Sequence, residues 1–232
     1  DLFVGVAFRI LPKSLIPIPK LGSINLHASL LPAYRGAAPI QWALINGDEE
    51  TGLSTFFIAP KVDTGEVIFQ DRLPIRPNDN YGLLSERMGN LGSDLLVKTI
   101  NLIKSGSTSA IKQNDNLVTL APKITKDMTI IDWSKPAREL HNLVRGLTPT
   151  PGAATIIKGK RIKIQETRVN NDDNGFNYLP GEITAIKKSV VAVQTGRGFL
   201  LIHHVQLEGK KTMDIGSFMN GFTLNIGDRF GN

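Results

Sequence analysis

The chain contains no cysteine. That excludes disulfides, thiolate metal sites and cysteine nucleophiles, and it favours a reducing compartment. Aromatic residues make up only 6% of the sequence, too few for a surface that stacks on the bases of an unpaired nucleic-acid strand. No apolar run approaches the roughly 20 residues needed to cross a membrane. Histidine is scarce as well: His27, His141, His203 and His204 are the whole set. The last two are adjacent, so in a strand they project to opposite faces and do not share a metal. No metal is expected, and structural roles are expected for His141, His203 and His204.

What is present is a globular composition of 232 residues, 41% hydrophobic and 21% charged, enough for one large domain or two ordinary ones. The charge is unevenly divided. Residues 1–120 carry 11 Lys and Arg against 11 Asp and Glu, whereas residues 121–232 carry 16 against 10, so the net +6 belongs to the second half. A neutral half joined to a basic half suggests one part that does chemistry and one that holds a polyanion, although a solvated basic surface has the same composition.

Strand and helix signals alternate in the first half. "LFVGVAF" reads as a strand buried on both faces, as in a parallel sheet, and it lacks the partners such a strand needs. The expectation is that an N-terminal portion of the sheet lies outside this sequence. A helical turn is expected from Ser14, a strand at "SINLH", and a helix over "AAPIQWALING" with Gly47 as its stop. Two strands, "GLSTFFIA" and "VIFQDRLPI", flank a loop containing "KVDTGE". A long helix is expected from Tyr81 to Lys104, with Leu84, Met88, Leu91, Leu95, Ile100 and Ile103 near helical spacing. The pattern is that of an α/β domain with a mainly parallel sheet over residues 1–104. Residues 105–127 are polar and aperiodic and read as a linker with one or two short strands. Over 128–232, one helix ("SKPARELHNLVRGL", with Ser134 as its cap) precedes five or six short strands with turn signals such as "NNDDNG" between them. A small barrel of the OB type fits that spacing.

The chemistry-bearing stretch is "SINLHASLLPAYRGAAPIQ". In a strand, Asn25 and His27 share one face while Ile24 and Leu26 share the other. The strand's C-terminal end therefore offers two polar hydrogen-bonding groups, at the position where open parallel sheets bind ligands. Alone, such a pair could equally satisfy neighbouring backbone groups. "SLLP" follows, suited to backing a flat heterocycle, and then Arg35 and Gly36 at a helix entrance where an anion is favoured. "VDTG" sets Asp63 in a tight loop, where a lone aspartate often only bonds its own backbone.

"NLHASLLPAYRGAAPIQ" followed by "VDTGEVI" resembles the formyltransferase family that uses 10-formyltetrahydrofolate. The resemblance covers essentially the whole chain, since "APKITKDMTIIDWSKPARELHNLVRGLTPTPGA" and "HHVQLEGKKTM" are similar to the linker and C-terminal domain of its tRNA-acting members. It implies a partial Rossmann-like catalytic domain followed by an OB-like domain that binds tRNA. It also implies catalytic roles for Asn25, His27 and Asp63, and folate contacts at Ser29, Leu30, Leu31 and Pro32. The co-substrate would be 10-formyltetrahydrofolate, without metal, and the acceptor the amino group of initiator methionyl-tRNA. Phosphate contacts would come from Arg35, Lys158, Lys160, Arg161, Lys163, Lys210 and Lys211. The implied setting is a monomer away from membranes, in the cytoplasm or an organellar matrix. The sequence departs from the family pattern at Lys61-Val62, Glu66 and Thr150, positions of loop shape and local packing. Competing readings are formyl transfer to glycinamide ribonucleotide or an amino sugar nucleotide, hydrolysis of the same carrier, and an RNA-binding protein with a silent enzyme domain.

Overall fold

A computed structural model describes residues 1–6, 11–171 and 178–231. Ala7 and Phe8 of the first apolar run, and most of the "NNDDNG" turn signal, lie outside the described residues. The chain divides into two compact units, Asp1–Ala43 with Asp48–Lys123, and Leu44–Gly47 with Ile124–Asn232. Among the described residues, no helix is long and apolar enough to cross a membrane.

The first part of the chain forms β1 (Phe3–Val6), β2 (Ser23–His27), β3 (Arg35–Gly36), α1 (Pro39–Asn46), β4 (Glu50–Phe57), β5 (Val67–Pro74), α2 (Tyr81–Lys104) and β6 (Leu120–Ala121). Its main sheet has the order β1-β2-β4-β5. The expectation of a mainly parallel sheet is corrected here: β1 and β2 run parallel, but β2–β4 and β4–β5 are antiparallel. The β2–β4 pairing, across a connection that holds α1, is set by which strands meet in the fold; the β4–β5 pairing follows from its connection. β4 and β5 are joined by one loop with no crossover helix, and neighbouring strands so joined pair antiparallel. Ser14 lies in a run of turns, not a helix, because Pro12, Pro17 and Pro19 remove donors that a helix would use.

α2 begins where Asn80 accepts from the Leu83 N–H at 3.0 Å, an N-cap that satisfies one orphan donor. Its buried stripe is Leu84, Met88, Gly92, Leu95, Thr99 and Ile103. Leu91 and Ile100, expected in that stripe, are only half-buried. Gly92 takes a buried position because the Leu26 side chain reaches to 2.8 Å of where its Cβ would stand. Thr99 takes another by meeting the Thr55 hydroxyl at 2.8 Å. Residues 105–123, expected as linker, stay with the first unit. Ile111 bridges to Val67, and β6 pairs with β3.

The second unit contains α3 (Ala137–Leu147), β7 (Ala153–Ile157), β8 (Lys160–Asn170), β9 (Ile183–Lys187), β10 (Val190–Gln194), β11 (Phe199–Leu207), β12 (Met213–Asp214) and α4 (Ile215–Met219). Its antiparallel sheet has the order β7-β8-β11-β10-β9, with β12 on β11. The five expected strands are all present, but the expected OB-like barrel is not what these pairings describe. Among the described residues β7 and β9 do not pair with each other. The C-terminal segment bonds to both instead: Ile183 N–H donates to Asp228 O, and Gly231 N–H to Ile156 O, each at 2.8 Å. Alternate residues such as Ile162, Ile164, Val191, Val193, Leu200 and Ile202 enter one core with Leu140, Val144 and Leu147 of α3. Trp133 stacks on Phe230 and donates its indole N–H to Thr155 Oγ1 at 3.0 Å. α3 is not capped by Ser134, whose N–H and hydroxyl both turn to Asp132; Pro136 stands at the N-cap. His141 is packed against Thr167 Oγ1 at 3.0 Å, and burial, then Arg145 and Arg138, push it down to about 4. It is a neutral structural imidazole at physiological pH.

Candidate active site

β2 carries the first two groups. Asn25 is half-buried, and in the parallel register it stands opposite Gly5. A Cβ on Gly5 would lie 3.2 Å from Asn25 Oδ1, so the glycine leaves room for the amide on that face. Two residues on, His27 is buried at 6% exposure. Its Nε2 lies 2.8 Å from Tyr34 O. A carbonyl can only accept, so Nε2 carries the hydrogen, and in the neutral ring Nδ1 is a bare acceptor. Tyr34 is itself fixed, its N–H on Thr119 Oγ1 at 2.8 Å and its hydroxyl on Asp48 Oδ2 at 2.7 Å.

The third group arrives from the β4–β5 loop. Asp63 adopts φ +53°, a left-handed conformation that aspartate tolerates better than most residues but still at a cost. Its carboxylate Oδ2 accepts from Gly36 N–H at 2.9 Å and lies 3.8 Å from His27 Nδ1. Thr64 closes the turn through a hydroxyl bond to Lys61 O at 2.8 Å. Gly65 admits no side chain, because a Cβ there would stand 1.5 Å from Phe57 O. Asn25 and Asp63 line a cavity of about 110 Å³ whose walls include Phe3, Phe56, Ile58 and Val62. The arrangement is an amide and a carboxylate on the wall of an apolar recess, with an oriented imidazole 3.8 Å from the carboxylate. It can hold developing negative charge and move a proton.

Residues 1–100 match the family described as formyl transferase, and residues 123–223 match formyl transferase, C-terminal domain. The methionyl-tRNA formyltransferase of Azobacteroides pseudotrichonymphae is 46% identical over 231 residues, which cover 95% of this chain and 71% of that protein. That of Agathobacter rectalis is 44% identical, covering 99% of this chain and 74% of the relative. The chain belongs to the methionyl-tRNA formyltransferase family. Among solved structures, HypX from Aquifex aeolicus in complex with tetrahydrofolic acid shares the fold, with a TM-score of 0.72 at 17% identity over 99% of this chain and 42% of its own. So does an N-formyltransferase from Helicobacter canadensis, in complex with folinic acid and dTDP-3-aminofucose, with a TM-score of 0.64 at 24% identity over 80% of this chain and 67% of its own.

The family's expected contacts fall into two sets. Of the residues expected to be catalytic, Asn25 and Asp63 line the cavity and His27 lies beside Asp63, whereas Ser29, Leu30, Leu31 and Pro32 are not among its lining residues. The Ser29 hydroxyl donates to Ala33 O, and Ser29 O accepts from Ser54 Oγ at 2.6 Å. Leu31 N–H donates to Ser54 Oγ at 3.0 Å, and Leu31 O accepts from Gln70 Nε2 at 2.8 Å. Ser54 and Gln70 therefore shape this loop, and sequence reasoning missed both. Other polar residues share their strands, Thr51 and Thr55 in β4 and Asp71 and Arg72 in β5, so neither stands out in the sequence.

The basic residues also divide. Arg35 is 8% exposed, with Nε and Nη2 on Gln113 Oε1 and Nη2 on Asp115 Oδ1, so these two nitrogens are engaged internally. Lys158 pairs with Asp228 at 2.7 Å and donates to Thr223 O. Lys160, Arg161, Lys210 and Lys211 are exposed and Lys163 is half-buried. Arg161 and Lys163 border a depression of about 300 Å³ together with Lys126, which sequence reasoning overlooked, and the acidic Glu208.

Proposed function

We propose that this chain transfers the formyl group of 10-formyltetrahydrofolate to the amino group of initiator methionyl-tRNA. The observation that carries the reading is the meeting of Asn25 and Asp63 at one recess, with His27 Nδ1 3.8 Å from the Asp63 carboxylate, in a chain 46% identical to a named member. The apolar walls suit the reactive end of a flat carrier, and the polar end suits its formyl carbonyl. The free methionyl amine has an ordinary pKa near 8 and is in part neutral already. Its nitrogen attacks the formyl carbon, and the carbonyl π electrons move to oxygen. The Asn25 amide donates to that oxyanion. The proton released from the attacking nitrogen passes to His27 Nδ1, which is free to accept because Nε2–H is held by Tyr34 O. Asp63 stabilises the resulting imidazolium. The bond from carbon to the carrier nitrogen then breaks, and the same proton goes to that nitrogen, leaving tetrahydrofolate and formylmethionyl-tRNA.

The second unit has the task of gripping the tRNA, and its partners are phosphates of a structured RNA. Lys210→Ala with Lys211→Ala, or Arg161→Ala with Lys126→Ala, should weaken tRNA binding and lower the slope of log affinity against log salt by about 0.7–0.9 for each phosphate no longer neutralised. Filter binding across a salt series, with kcat at saturating tRNA unchanged, checks this. The role fits a compartment where translation starts, the cytoplasm or an organellar matrix.

The test of the function is an assay with the intact protein and 10-formyltetrahydrofolate, offering methionyl-tRNA, glycinamide ribonucleotide, an amino sugar nucleotide, or water alone. Formylmethionyl-tRNA as the sole product is expected. Free formate, or a product from another acceptor, overturns the tRNA assignment.

A further inference from the structure

We propose that Gln113, from the polar stretch after α2, is a positioning residue that holds Asp63 in its working conformation; this rests on the reading of Asp63 as catalytic. Gln113 is 8% exposed, although Lys112, Asn114 and Asp115 around it are all exposed. Its Oε1 accepts from Arg35 Nε at 3.0 Å and from Arg35 Nη2 at 2.8 Å. A guanidinium only donates, so this fork decides which end of the amide is oxygen. The NH₂ group must then face the other way. It donates to Asp63 O at 2.9 Å and to Gly65 O at 2.8 Å. All four hydrogen-bonding positions of the amide are used.

Two adjacent residues thus control both parts of Asp63. The Gly36 N–H holds its carboxylate directly, while Arg35 orients the glutamine that holds its main chain. Asp63 needs that grip because its φ of +53° is unfavourable for a residue with a side chain. Without the two donors, two carbonyls lose their partners and the turn can relax. The carboxylate then leaves its place 3.8 Å from His27 Nδ1. A displacement of about 1 Å in such a group can cost about 10²-fold in rate.

Gln113→Glu separates this role from mere packing. A carboxylate still accepts from Arg35, with a charge-assisted bond, so the buried guanidinium keeps its partner. The end facing the loop, however, becomes an acceptor against two carbonyls. In the intact protein, kcat should fall about 10²-fold while KM for methionyl-tRNA stays within about twofold. The same substitution is then made in an Asp63→Asn background, whose slow turnover is followed by accumulation of formylated product. There it should change kcat by less than about twofold, because groups acting as one unit are not additive. An equal loss in both backgrounds, or no loss in either, overturns the proposal. If Asp63→Asn itself leaves kcat intact, the catalytic reading of Asp63 fails instead, and the two failures are distinguishable. Should Gln113→Glu not fold, Arg35→Lys serves in the same cycle under the same criteria. It keeps a cation near Asp115 but lacks the fork that orients Gln113.

Discussion

Asn25→Ala should lower kcat for formyl transfer about 10²–10³-fold and leave the affinity for methionyl-tRNA nearly unchanged. In the proposed reaction the amide donates to an oxygen that becomes fully charged only as the tetrahedral intermediate forms, so its loss falls on turnover more than on binding. Asn25 is half-buried at the cavity wall, beside a glycine that leaves it room. Little packing depends on it, and the variant should fold. Asn25→Asp is the sharper companion. It preserves shape but sets a carboxylate against the oxyanion, and it should be slower than alanine. Steady-state kinetics with filter binding on the same preparations decide the matter. A kcat within about threefold of the wild type for both variants would remove Asn25 from the chemistry.

Gly65→Ala is expected to damage the same site from the backbone side. The new Cβ would stand 1.5 Å from Phe57 O and within 3.3 Å of the Phe56 ring. No rotamer relieves a clash with a main-chain oxygen, so the loop must move away from β4. Asp63 lies two residues away in that loop, and turnover should drop by about 10²-fold. Strain of this kind should also cost about 1–3 kcal/mol of stability. Gly89→Ala is the control, since nothing lies within 4 Å of its Cβ position and it sits inside α2. A helix-interior glycine replaced by alanine without a clash should gain about 0.5–1 kcal/mol. Urea unfolding of both variants, read with kcat, checks the contrast. A Gly65→Ala protein as stable and active as the wild type would show that the loop geometry is not required.

The separation of these two effects reflects how the site is built. The amide and imidazole stand on a strand whose alternation sets them on one side, and the carboxylate stands on a loop held from three directions. The first arrangement follows from period two along five residues, Ser23–His27. The second depends on groups far away in the chain. Arg35 and Gln113 are separated by 78 positions, and Gln113 and Asp63 by 50. Nothing in "AIKQNDN" distinguishes a glutamine that will be buried against the Asp63 loop from one that faces water. Ser54 and Gln70 were invisible for the same reason, since their partners Ser29 and Leu31 lie 25 and 39 positions away.

The sequence by itself determined the elements whose cause is local. These are β2 and its Asn25–His27 face, α1 ending at Gly47 with φ +79°, α2 over Tyr81–Lys104, and the strand hairpins of the second half. It also carried the family, because the residues of the reactive strand and loop are contiguous words. Only the tertiary structure decided that the first sheet is mixed, that among the described residues the second leaves β7 and β9 unpaired with each other, and that Arg35 turns inward. The physical reason is common to all three. Periodicity and capping act over a few residues and leave a readable pattern, whereas strand order and buried hydrogen-bond partners are chosen among distant groups by which ones can be satisfied together.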